Sequence, residues 1–160
     1  MKKVAILYSE YSPTIDAIKY QLKDNEVLCF SQIPQNIDDF DLTILVNFKE
    51  KFEGKAIGCH HSLLPAFNTE TPVKDVIIAG VKVTGITIYE TDSKKIITQY
   101  PVFINNDTHY DELKQELNYL EQTIYPLVVE KILFNQTFEI NKLLNNGCMG
   151  SCGGCGGCNH

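Results

Sequence analysis

Short apolar runs recur through the amino-terminal part of the chain: Lys3 to Tyr8, Val27 to Phe30, Leu42 to Val46 and Ala56 to Cys59. Each has the length of a strand and ends in polar or turn-forming residues. Because they are apolar throughout instead of alternating, they predict strands buried on both faces, as in a parallel sheet covered by helices. After the first run, Ser12 and Pro13 mark a turn, and Ile15, Ile18 and Leu22 follow at helical spacing. Pro72 suits the first position of a second helix, which runs through Ala79 and is closed by Gly80. The period then changes to two. Val81, Val83, Ile86 and Ile88 stand against Lys82, Thr84 and Thr87, and a second β-rich run, Ile96 to Phe103, joins through Thr91 to Lys95 as a hairpin. From Thr108 onward Leu113, Leu117, Leu120, Ile124 and Leu127 alternate four and three apart, predicting a long helix that Pro126 kinks. The pattern as a whole predicts a three-layer α/β sandwich, with a mostly parallel, Rossmann-like sheet and a carboxyl-terminal β-hairpin.

Residues 1–135 read as one α/β domain, 136–146 as a polar linker, and 147–160 as a tail holding six Gly and four Cys that cannot bury a core. The chain has 160 residues and a net charge of −6, so it lacks the basic stripe that a nucleic-acid partner requires. No stretch approaches the roughly 20 apolar residues of a membrane span. Lys2 and Lys3 precede too short an apolar run for a signal-peptide core, and a cytoplasmic protein is expected. In that compartment the six cysteines read as free thiols or metal ligands.

Candidate chemistry centres on Gly58-Cys59-His60-His61-Ser62-Leu63-Leu64-Pro65, a buried strand that delivers histidine into a loop, where open α/β sheets place their ligands. The segment His60 to Pro65, then Pro72-Val73, Gly80 and Thr84-Gly85-Ile86-Thr87-Ile88, resembles the folate-dependent formyltransferases, especially the branch acting on Met-tRNA and on aminosugars. Farther on, Gln99, Pro101-Val102, Asp107-Thr108, Leu113, Glu121 and Tyr125-Pro126 look like the branch acting on glycinamide ribonucleotide. The resemblance implies formyl transfer from a folate donor, 10-formyltetrahydrofolate, to a small-molecule amine. It further implies an Asn-x-His at the strand end and an Asp after the next strand as a catalytic trio. The His falls on His60, the electrophile, and the Asp on Asp92, its orienter, so the two are expected within hydrogen-bond reach. The Asn position is Gly58, on the same strand face as His60. The loop after the first strand, Glu10 to Thr14, carries an acid and lacks the glycines that would cradle a phosphate.

The tail offers Cys148, Cys152, Cys155 and Cys158, with His160 beyond. Cys-x2-Cys spacing lets two sulfurs reach one ion, and four thiolates suit zinc or a [4Fe-4S] cluster. This supports a second expectation: a non-catalytic metal or iron-sulfur binding accessory protein that reuses the fold and meets a protein partner through the tail.

Overall fold

The computed structural model describes residues 1–147, so the four tail cysteines and their expected metal lie outside the described residues. Six strands form one sheet in the order β2-β1-β3-β4-β5-β6. They are β1 (Lys3–Tyr8), β2 (Glu26–Phe30), β3 (Leu42–Val46), β4 (Ile57–His60), β5 (Val83–Glu90) and β6 (Ile96–Phe103). The β1–β2, β1–β3 and β3–β4 ladders are parallel; β4–β5 and β5–β6 are antiparallel. The helices are α1 (Pro13–Gln21), α2 (Pro72–Ala79), α3 (Tyr110–Leu133) and α4 (Ile140–Gly147).

The unbroken apolar run of β1 has its counterpart in burial on both faces, since Val4, Ala5, Ile6 and Leu7 are each 0% exposed. Register then decides which residues meet the helices. Ile6 pairs with Ile44 and Ile44 with Ile57, so these three share a face. That face meets Ile15, Ile18 and Leu22 beside α1, and Leu113, Leu117, Ile124 and Val128 of α3, in one core. Over β4–β6 the opposite face is covered by the loop that follows β4. Gly80 closes α2 at φ 66°, a left-handed conformation that glycine adopts without a Cβ penalty.

α3 is one long helix with Pro126 buried inside its span. The structure departs from the sequence reading beyond that helix. The segment read as a linker holds α4, and Ile140, Leu143 and Leu144 pack against the core.

Asp41 ties the starts of β1 and β3 together. Its carboxylate accepts the Lys3 backbone N–H at 2.7 Å and the Lys2 ammonium at 3.0 Å. The Lys3 N–H first, and Lys2 second, hold the Asp41 carboxyl below the ordinary carboxylate range. Its folded value is therefore below the unfolded one, and its contribution is present above about pH 4 and lost as pH falls through the lowered value. Asp41→Asn is expected to lower the urea midpoint at pH 7, and that difference is expected to shrink toward pH 2–3. A gap that stays constant with pH would disprove the tether.

Candidate functional site

The carboxyl end of β4 presents two histidines to opposite sides of the sheet. Gly58 pairs with Tyr89 and His60 with Thr87, so these four positions share one face, while Cys59, paired with Ile88, looks toward the helices.

His60 is held by the loop that follows it. Its Nε2 lies 3.0 Å from the Phe67 carbonyl oxygen. A carbonyl only accepts, so Nε2 carries the proton and the lone pair of the neutral ring resides on Nδ1. Phe67 has φ 52°, a left-handed conformation rare for a side chain of its size. Residues from two other strands fix this loop. Thr87 Oγ1 donates to the Ser62 carbonyl at 2.7 Å and accepts the Leu64 N–H at 3.0 Å. Gln99 Nε2 reaches the Leu64 carbonyl at 2.8 Å and Thr87 Oγ1 at 3.0 Å. Ser62 Oγ donates to the Ala66 carbonyl at 2.7 Å and also lies 3.3 Å from that of Phe67.

On the helix side, His61 Nε2 pairs with the Glu121 carboxylate of α3. Glu121 is a charge on an otherwise apolar stripe, four residues after Leu117 and four before Tyr125, and is only 5% exposed. Tyr125 is fully buried and its hydroxyl lies 2.6 Å from the Ile57 carbonyl and 3.1 Å from that of Leu45, bracing β3 against β4. Cys59 lies on the same side of the sheet. Burial first, and the nearby Glu121 carboxylate second, push its thiol well above the ordinary range. Cys59 is therefore a neutral thiol at physiological pH and a poor nucleophile. Iodoacetamide mapping at pH 8 is expected to leave Cys59 unlabelled in the folded protein and labelled after unfolding. Rapid labelling in the native state would show this pocket to be open.

Asp92 stands elsewhere. It is exposed in the β5–β6 turn, where its carboxylate accepts the Ser93 N–H at 2.7 Å. The preceding residue, Thr91, hydrogen-bonds through its N–H to the Ala56 carbonyl, four residues upstream of His60. Four extended residues span about 13 Å. The expected His60–Asp92 contact is thus not made, because β5 runs antiparallel to β4 and carries Asp92 away from the end where His60 lies. The group that orients His60 is a backbone carbonyl, which no side-chain pattern announces.

At Gly58 a Cβ would lie 3.1 Å from Cζ and 3.2 Å from Oη of Tyr89, so the tyrosine fills the space where a side chain at 58 would stand. A cavity of about 510 Å³ lies between β6, α3 and α4, and His60 is not among the residues that line it, which include Tyr100, Phe103, Glu116 and Leu120. No group of three metal-ligating side chains occurs among the described residues. No described helix is long and apolar enough to cross a membrane.

Comparison with known proteins gives a consistent picture. Residues 39–129 match the family described as Formyl transferase. The phosphoribosylglycinamide formyltransferase of Bacillus subtilis (strain 168) is 35% identical over 88 residues, 52% of this chain and 45% of that protein, so the chain spans less than half of that relative's length. The bovine trifunctional purine biosynthetic protein adenosine-3 is 26% identical over 129 residues, 72% of this chain and 13% of that protein. Among solved structures, phosphoribosylglycinamide formyltransferase from Bacillus halodurans superposes with a TM-score of 0.71 at 23% identity, covering 82% of this chain and 95% of that one. The glycinamide ribonucleotide transformylase 1 of Symbiobacterium toebii gives 0.70 at 18% identity, covering 87% and 91%. At these identities the superpositions establish the fold.

Proposed function

Since the chain belongs to the formyl transferase family, we propose that it moves a formyl group from a folate donor, 10-formyltetrahydrofolate, to a small-molecule amine. The observation that carries this reading is the state of His60: Nε2–H is committed to the Phe67 carbonyl, which turns the lone pair on Nδ1 into an oriented proton acceptor at the sheet's edge.

The groups on this face fit the reacting end of such a donor, which supplies an electrophilic carbonyl carbon bonded to nitrogen. As the acceptor nitrogen bonds to that carbon, it must lose a proton; His60 Nδ1 takes it. When the bond to the donor nitrogen breaks, the same proton returns to the departing nitrogen, and His60 ends as it began. The Phe67 carbonyl does two things in this cycle. It fixes the tautomer, and it stabilises the imidazolium that forms between the two transfers. Ser62, Leu64, Thr87 and Gln99 keep that carbonyl in place through the loop. Asp92, remote from His60 by register, takes no part. On the other side of β4, the His61–Glu121 pair anchors the strand end to α3.

The names of the relatives point to glycinamide ribonucleotide as the first acceptor to try. The test is a transfer assay with the full chain, 10-formyltetrahydrofolate and glycinamide ribonucleotide, then a panel of primary amines, with mass spectrometry of the product. An amine bearing one added formyl group is expected. Absence of formylated product with every amine at millimolar concentration would sink the reading.

A further inference from the structure

The arrangement around His60 leaves one requirement of the transfer unmet. When an amine adds to a formyl carbon, the π pair of the C=O bond moves onto oxygen, and that oxygen must be met by a hydrogen-bond donor. Neutral His60 cannot be that donor while it acts as base, because its single N–H is turned to the Phe67 carbonyl. Position 58, two residues back on the same face, has no side chain.

The neighbouring strand fills that gap. Tyr89 is directly paired with Gly58, shares its face, and reaches back so that Cζ and Oη lie 3.1 and 3.2 Å from where a Cβ at 58 would be. The hydroxyl therefore lies over the Gly58 backbone, on the His60 face. The ring is half-buried, and the Lys94 ammonium lies 6.0 Å from its centroid, a cation over its face. We infer that the Tyr89 hydroxyl is the donor to the oxygen that gains charge during formyl transfer, acting beside the base His60. This inference rests on the formyl-transfer reading given above.

Two further properties suit the hydroxyl to that task. Burial, and secondarily the neighbouring Cys59, push the phenol's ionisation upward, so it stays protonated and able to donate across the physiological range. Unlike Tyr125, whose hydroxyl contacts two backbone carbonyls, Tyr89 Oη has no hydrogen-bond partner among the described residues, so its proton is available. In the step itself Tyr89 keeps its proton. The O–H donates while the carbon is tetrahedral, the electron pair returns to re-form C=O as the bond to the donor nitrogen breaks, and the proton that His60 took goes to that nitrogen. Gly58 gives the ring this room: a Cβ at 58 would lie 3.1–3.2 Å from it, and the ring would have to give by a few tenths of an ångström.

The test is Tyr89→Phe, which keeps the ring over Gly58 and removes only the hydroxyl. With 10-formyltetrahydrofolate and the best amine acceptor, kcat is expected to fall about 100- to 1,000-fold, the usual loss for one oxyanion donor, with KM within about threefold. A second variant protects the result against a change in ring packing. Tyr89→Ala is expected to be as slow as Tyr89→Phe, and Gly58→Asn added to Tyr89→Ala, which sets an amide donor in the cleared space, is expected to recover at least about tenfold of the loss. Wild-type-like kcat in Tyr89→Phe would overturn the inference and leave the formyl-transfer reading standing. A wild-type protein that formylates no amine would overturn both.

Discussion

Gly85→Ala is expected to lower the melting temperature by about 5–10 °C and to cut formyl-transfer activity together with it. The added methyl group would lie 2.0 Å from the Tyr100 carbonyl oxygen and 2.8 Å from a Leu63 methyl. The first contact is with backbone, which cannot rotate away, so β5 and β6 must part where Gly85 pairs with Pro101. Overpacking of this kind costs roughly 2–3 kcal/mol, and in a chain of this size each kcal/mol moves the melting temperature by about 2–4 °C. The second contact carries the effect to the chemistry. Leu63 belongs to the loop whose Phe67 carbonyl orients His60, and misplacing a positioned group by about 1 Å can cost on the order of 100-fold in rate. Thermal melts and transfer kinetics on the same preparation check both halves. A variant that melts with the wild type would show that the loop does not sit this close to the sheet.

His60→Ala is expected to lower kcat by about 100- to 10,000-fold, the range for loss of a positioned general base, while leaving the melting temperature nearly unchanged. The structural cost is small because His60 is half-buried and the Phe67 carbonyl keeps the Ser62 hydroxyl at 3.3 Å. Asp92→Asn makes the contrasting measurement. An exposed turn residue on the far side of the β4–β5 ladder from His60 is expected to change kcat by less than about twofold. Parallel losses in the two variants would return Asp92 to the site and require a different conformation of the β5–β6 turn.

That contrast marks what could be read in advance and what could not. β1 was legible because a strand covered on both faces must be apolar at every position, and composition alone reports it. The position of His60 at the end of β4 was legible because a histidine that follows a buried apolar run into a loop is a local pattern. Its partner was not, since a backbone carbonyl has no residue type, and Phe67 reaches His60 only after Thr87 and Gln99, on two other strands, have fixed the intervening loop. Asp92 misled for the opposite reason: a motif carries chain order, but strand direction decides which end of the sheet a residue occupies. Glu121 did leave a signal, a lone carboxylate on the apolar stripe between Leu117 and Tyr125, which burial makes intelligible only once His61 faces it. In α4, the spacing of Ile140, Leu143 and Leu144 was visible, yet asparagines among them are weak helix formers, and packing against the core overrides that preference.

The α1–α3 contact bears on how the chain is made. Gln21 at the end of α1 hydrogen-bonds Glu130 near the end of α3 at 2.8 Å, across 109 residues of sequence, and the apolar side of α1 has its main cover in α3. At synthesis rates of about 5–20 residues per second, a newly made α1 waits on the order of 5–20 s before the helix that shields it exists. Over that interval Ile15 and Ile18 are open to any hydrophobic surface nearby, including those of other nascent chains. The same separation places the docking of α3 late on the folding route and adds loop-closure entropy to its barrier. Crowded expression should therefore aggregate this protein during elongation, and slowing initiation, which spaces the nascent chains apart, should raise the soluble yield more than stabilising the finished fold would.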